Sequence, residues 1–384
     1  VRNILAIGDI HWGAIDAKTM YEHLYAVLYL LQKMEGKIDI IVICGDYFDY
    51  RLSLNSKAAS LSVLWMTQLR DTAFHYGVKA IRVIKGTEEH DNNQLQVFKN
   101  LEDDFFKIYT TNTVEEICGV KCLFCPDENI NWKDYEEKYL ENLMSIPDIA
   151  FLHGSFDIVL PDIVVQESEE TSAKSVIYPY STLSSLVKGP LISAHWHDAF
   201  DEEPLHYIGS FEAWAHGEQN NKGFAIIQYD ESDGSYIYHR ILNPLAREYR
   251  TIRNDTRLFT SAEDYSRLIE EVREIQSKNP GIMLRLMFTI SNDDPKNSEY
   301  LTALRYAFIN DRNVKVVIKD LVKRAEKEKR KKQSSQNSSK YAFLMDKNTK
   351  ISQKIQEYLF TIKGKEIPID VIEKYVKKYL PDEV

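Results

Sequence analysis

Apolar residues along this chain fall into two rhythms. Short unbroken runs, NILAI at 3–7, IDIIVIC at 38–44, KAIRVI at 79–84 and DIAFL at 148–152, read as strands buried on both faces. Between the first two, Met20, Leu24, Val27, Leu31 and Met34 recur at intervals of three and four, which predicts a helix over 17–35. A second helix is predicted over 56–76, and further strands at 205–209, 223–230 and 235–241. Strands alternating with helices over 1–245 are the pattern of an α/β domain.

The rhythm then changes. Residues 243–254 read as a polar crossover, followed by a helix-like 261–278, a strand-like 282–290, a helix-like 298–308 and a strand-like 314–318. These predict a small separate α/β unit over 246–322. The segment 323–349 opens with KRAEKEKRKKQSSQNSSK, which has too few apolar residues for a core and reads as a flexible linker. Beyond it, Ile351, Ile355, Leu359 and Ile362, then Ile372, Tyr375, Val376 and Tyr379, predict two amphipathic helices within 350–384. Such helices either dock on a partner or fold back on this chain. The reach of the linker favours a partner.

Composition narrows the class. At 384 residues the chain exceeds the about 250–300 at which a single core usually stops growing, so several domains are expected. No apolar run is long enough to span a bilayer and no signal-like series opens the sequence, so the expectation is a cytoplasmic protein with no membrane association. Cys118, Cys122 and Cys125 are closely spaced, but no fourth ligand stands nearby, and buried thiols are the plainer reading. The net charge of −10 excludes a generally basic nucleic-acid coat, so a DNA-acting role needs local basic surfaces or a partner.

Histidines and aspartates gather in five patches: GDIHWG at 8–13, GDYFD at 45–49, GTEEHD at 86–91, HGS at 153–155 and AHWHD at 194–198. Each follows an apolar run, the last of them the shorter PLIS. Ligands of open α/β sheets collect at the carboxyl ends of strands, so distant residues are expected to meet in one cleft. Asp9, His11, Asp46, His153, His195 and His197 supply mixed donors for two cations. Carboxylates offset and bridge charge, while neutral imidazoles leave Lewis acidity in place. Alternating side chains would send His195 and His197 opposite ways in an extended HWH segment, so the pair requires a turn. Any one of these patches alone is more often a turn or cap; the ordered set is what carries the reading. Trp12, Trp196, Tyr47, Phe48 and Tyr50 suit packing under such a site, and His23, His75, His206, His216 and His239 read as structural.

The series DxH, GDxxD, a glycine-led HD, a lone His and HxH resembles the calcineurin-like metallophosphoesterases. Its details, with YIGSFEAW and GEQNNKGF at 207–224, resemble the SbcD-type DNA nucleases that include the meiotic-recombination-eleven proteins, as a bacteriophage or otherwise divergent member. The resemblance implies a β-sandwich flanked by helices, with a small α/β capping domain and a helical tail. It further implies that Asp9, His11, Asp46 and His197 hold one metal, and that Asp46 bridges to a second held by His153 and His195. By the same resemblance His90 contacts the phosphate or protonates the leaving oxygen, and Asp49 orients its ring. One motif departs from the family's GNHD: GTEEHD lacks the Asn ligand. Glu89 is the candidate replacement; alternatively Thr87 or water fills the position and both glutamates face outward. The expected activity is exonuclease and endonuclease cleavage of DNA with two divalent ions, manganese before magnesium or another transition metal. Expected partners are DNA, a second copy joined through helices of the first domain, and an SbcC-like ATPase of the structural-maintenance type bound by the tail, in a bacterial or phage-infected cell. A phosphatase or phosphodiesterase for small substrates and a non-catalytic scaffold are the alternatives.

Overall fold

The apolar runs become strands. The computed structural model describes residues 1–140, 145–160, 176–218, 221–254, 261–290, 295–320, 350–363 and 366–379. In chain order its first elements are β1 (Arg2–Ile7), α1 (Ala17–Lys33), β2 (Ile40–Cys44), α2 (Lys57–His75), β3 (Ala80–Ile84), β4 (Phe106–Tyr109), β5 (Thr113–Ile117) and β6 (Val120–Cys125). There follow β7 (Ile149–His153), β8 (Ser155–Phe156), β9 (Ile177–Tyr178), β10 (Leu191–Ala194), β11 (Phe200–Glu202), β12 (Leu205–Tyr207), β13 (Gly223–Tyr229) and β14 (Tyr236–Leu242). Two six-stranded sheets result, ordered β14-β13-β1-β2-β3-β4 and β11-β12-β10-β7-β6-β5. The mixed α/β architecture is the one the metallophosphoesterase resemblance implied.

Why the runs are unbroken is visible in the packing. Ile4, Ala6, Ile40 and Val42 of the first sheet join Phe124, Phe151 and Ile192 of the second in one apolar layer. The alternate residues Leu5, Ile7, Ile41 and Ile43 pack in another layer with Met20, Leu24, Val27 and Leu31 of α1 and Trp65 and Leu69 of α2. Both faces of these strands are covered, so neither tolerates a polar residue. On its other face the second sheet adds Leu123, Ala150, Leu152 and Leu191 to a third layer. Asp16 caps α1 by accepting from the backbone N–H of Lys18 and Thr19 at 3.0 and 3.1 Å, and Ser56 caps α2 by accepting from Ala59 at 3.1 Å. The Trp65 indole donates to the Leu24 carbonyl at 3.2 Å and ties the two helices.

In the first sheet β1, β2 and β3 run parallel, and in the second β6, β7 and β10 do. Each set therefore delivers the residues after its strands to one end of its sheet. Strands β4 and β5 are not signalled by apolar runs, because each lies at a sheet edge and is only partly covered.

Two bodies emerge from the contacts, 1–251 with 272–285, and 252–271 with 286–384. The supposed polar crossover holds β15 (Tyr249–Asn254), which with β16 (Met283–Ile290) and β17 (Val314–Asp320) makes a three-stranded sheet. It is an edge strand that leaves Arg250 and Arg253 exposed, which is why its sequence is polar. Helices cover Ala262–Lys278 and Pro295–Ala307. The proposed linker 323–349 lies outside the described residues. The tail forms two helices, Ile351–Lys363 and Ile369–Tyr379, joined by a Gln356 side-chain bond to the Ile367 carbonyl at 3.0 Å, with Ile372 and Val376 buried. Among the described residues no helix is long and apolar enough to cross a membrane. All four cysteines are free, and burial pushes the Cys125 thiol up to about 12.

Candidate metal centre

The loops after β1 and β2 continue the strand pairing past the sheet. Asp9 N–H donates to the Gly45 carbonyl at 3.2 Å, His11 to Asp46 at 3.0 Å and Trp12 to Tyr47 at 2.8 Å, and Asp49 N–H returns a bond to Trp12 at 3.1 Å. Asp9, His11, Asp46 and His195 all have left-handed backbone, with φ of 47, 52, 45 and 87°. Non-glycine residues held there cost roughly 1–3 kcal/mol each, a cost that proteins concentrate at functional sites. At His195 the left-handed residue supplies the turn that the HWH segment requires. Gly45 is needed where it stands: its φ is +85°, and a Cβ there would lie 2.4 Å from His153 Nδ1.

Six of the predicted ligands assemble into two triads, Asp9 with His11 and His197, and Asp46 with His153 and His195. The triads are tied together. The Asp9 carboxylate accepts from the His195 N–H at 2.9 and 3.1 Å, and Asp46 Oδ2 lies 3.2 Å from His153 Nε2 and 3.9 Å from both His11 Nε2 and His90 Nε2. Burial works to raise the Asp46 pKa, but the neighbouring imidazoles of His153, His11 and His90 overcome it and hold the carboxyl well below its usual range. His153 is raised in turn, because the Asp46 charge outweighs its own burial. His195 goes the other way, down to about 4, through burial and the charge of His153. His153 Nδ1 donates to the Cys44 carbonyl at 2.8 Å, which leaves Nε2 for the centre.

A third cluster unites His11, Asp49 and His90. His90 Nδ1 contacts the backbone carbonyl of Asp49, while the Asp49 carboxylate lies 3.3 Å from His11 Nδ1. One residue thus stands against both rings, through different atoms. Gln94 clamps the same loops, donating to the carbonyls of Tyr50 and His90 at 3.0 and 2.9 Å and accepting from Leu52 N–H at 2.6 Å.

Within GTEEHD, Glu89 is exposed and belongs to none of the three clusters found among the described residues. Glu88 is also exposed and pairs with Lys85 at 2.7 Å. Thr87 instead faces the site: its N–H and hydroxyl donate to Asp46 Oδ1 at 2.7 and 3.0 Å, turning Oδ2 toward the imidazoles.

Sequence reasoning assigned no role to Asp91. It is fully buried, accepts from Phe48 N–H at 3.1 Å and Gly86 N–H at 2.7 Å, and so joins the second and third motifs. Burial, then the charge of Asp46, pushes its carboxyl up to about 7. The HD pair was the available signal. Asp127, also buried, follows β6 at the same end of the second sheet as His153. Trp214 sets its ring 4.9 Å from His11 and 6.0 Å from His197. Of the other histidines, His23 pairs with Glu212, His206 with Asp201 at 2.8 Å, and His216 packs on Tyr249.

These donors fit divalent cations. His11 Nε2 and His197 Nε2 stand 3.2 Å apart. Two imidazole nitrogens bound to one ion at about 2.0–2.1 Å, with angles from right to tetrahedral, lie about 2.9–3.4 Å apart. His195 Nδ1 is buried with no hydrogen-bond partner among the described residues, a lone pair or proton that a ligand role would employ. No curated protein matches the chain. The family model described as calcineurin-like phosphoesterase matches residues 2–318, with both candidate ligand triads inside the matched span. The chain belongs to the calcineurin-like phosphoesterase family, and its centre is that of a metal-dependent phosphoester hydrolase.

Proposed function

We propose that this protein is a DNA nuclease that hydrolyses phosphodiester bonds with two divalent ions, manganese foremost, and that it works as the nuclease subunit of an SbcCD-like complex in DNA repair or recombination. The observation that carries the reading is the convergence of Asp9, His11, His197, Asp46, His153 and His195 in two linked triads, with His90 beside them. The resemblance of the motif series and of residues 207–224 to SbcD-type nucleases supports DNA as substrate.

Two cations held by the triads would screen the phosphate charge and lower the pKa of a water nucleophile. The protein's own part falls to His90. Its Nδ1–H donates to the Asp49 carbonyl, so with the ring protonated on both nitrogens Nε2–H is the donor left to bind a phosphate oxygen or to pass its proton to the departing one. Phe48 is buried and Tyr47 fully so, which assigns them to packing beneath the loop.

Two partner roles belong to the same reading. Val63 and Leu64 of α2 and Val97 of the helical segment Gln94–Leu101 are exposed, and suit a homodimer. The tail hairpin exposes Phe360 and Val371, which suits an ATPase of the structural-maintenance type. The test is to load the full chain with manganese and compare wild type with His90→Ala on labelled duplex DNA and on bis(p-nitrophenyl) phosphate. DNA cleavage that falls about 10²–10⁴-fold in the variant, with manganese still bound, supports the nuclease. Activity on the small ester alone would instead favour a small-substrate phosphodiesterase, and metal binding without hydrolysis of either would favour a scaffold.

A further inference from the structure

Lys222 is a lysine with a side chain wholly removed from solvent. An ammonium so buried is costly unless acceptors surround it. Its Nζ donates to the His197 carbonyl at 2.7 Å, lies 2.9 Å from Glu218 Oε2 and reaches Asp198 Oδ1 at 3.4 Å. All three acceptors come from the ligand His197 or its immediate surroundings. The second oxygen of Glu218, Oε1, is 3.6 Å from His197 Nδ1, and Oε2 also accepts from the Trp214 N–H at 3.3 Å. Backbone bonds fix the base of this arrangement: Gly223 N–H donates to Ser210 at 3.1 Å, and Ser210 N–H to His197 at 3.1 Å.

We infer that Glu218 and Lys222 act as positioning residues for His197, which they set in the tautomer and tilt that one cation of the pair requires. A carboxylate opposite Nδ1 favours the proton on that nitrogen and leaves Nε2, the atom 3.2 Å from His11 Nε2, as the metal donor. Lys222 holds the carboxylate there and also grips the backbone of His197. The effect is local to the Asp9, His11 and His197 triad. The Asp46, His153 and His195 triad has its own outer partners, the Cys44 carbonyl on His153 and Thr87 on Asp46.

The inference rests on the dinuclear reading, so its test must separate the two. Manganese titration of the full chain by calorimetry, with electron paramagnetic resonance of the loaded protein, should show two ions and a coupled-pair signal in wild type. Glu218→Gln keeps the shape and should weaken one ion about 10–100-fold while the other is unchanged, converting the coupled signal to that of an isolated ion. Glu218→Asp should recover part of the loss, and Lys222→Met should act in the same direction. If wild type binds two ions and Glu218→Gln binds both with unaltered affinity and signal, the positioning role is refuted while the metal centre stands. If wild type binds none, the centre itself is refuted.

Discussion

Replacing Gly86 by alanine isolates how closely the third motif is pressed against the second. A Cβ at this position would lie 2.1 Å from the Asp46 backbone nitrogen, 2.2 Å from its Oδ1 and 2.8 Å from its Cα. Ordinary contact begins near 3.4 Å, and backbone cannot swing aside as a side chain can. The two loops therefore have to part by about 1.3 Å, which is the scale of the added methyl's overlap. That displacement breaks the bonds from Thr87 to Asp46 Oδ1, now 2.7 and 3.0 Å, and moves a carboxylate that lies near His11, His90 and His153 together. Misplacement of about 1 Å in a catalytic constellation costs on the order of 10²-fold, or roughly 2.7 kcal/mol of transition-state stabilisation. The assay is steady-state hydrolysis of bis(p-nitrophenyl) phosphate with manganese, alongside manganese stoichiometry by calorimetry and circular dichroism to establish folding. The expected result is a folded chain with weaker metal binding and kcat/KM lower by about a hundredfold or more. A folded variant with both ions bound normally and activity within about threefold of wild type would refute the reasoning.

Glu89→Gln separates the two readings of GTEEHD: from an exposed position outside the clusters it should leave manganese stoichiometry unchanged, whereas loss of an ion on calorimetry would make Glu89 a ligand. A pH dependence follows from Glu115, which Arg82, Lys107 and Tyr109 surround at 2.6–3.0 Å. Burial raises its pKa, but these hydrogen bonds prevail and lower it from 4.5 to about 2. A depressed carboxylate adds stability that is complete above its unfolded pKa and is lost as pH falls through the folded one. The gap in urea midpoint between wild type and Glu115→Gln should therefore be full at pH 7, narrow below pH 4.5 and close near pH 2; a gap that persists at pH 2 would contradict the assignment.

Much of this protein is written locally. Ile40 to Cys44 is apolar throughout because both faces of β2 are covered, and Met20, Leu24, Val27 and Leu31 of α1 mark the helix stripe that packs with the first sheet; both patterns survive in the bare sequence. The clustering of the candidate ligands was legible for the same reason, since each ends or follows a strand and strands deliver their ends together. What the sequence could not hold were relations between distant atoms. Strands β4 and β5 lie at sheet edges, where half-exposed backbone imposes no apolar code. The left-handed turn at His195, the use of the Asp49 carbonyl for His90 and its carboxylate for His11, and the placing of Thr87 rather than Glu89 against Asp46 are all settled by close packing. So is the burial of Lys222 beneath His197, 25 positions earlier in the chain. Periodicity records which face of an element is dry, but the direction of a hydrogen bond and the tautomer of a ring depend on what the fold brings opposite them.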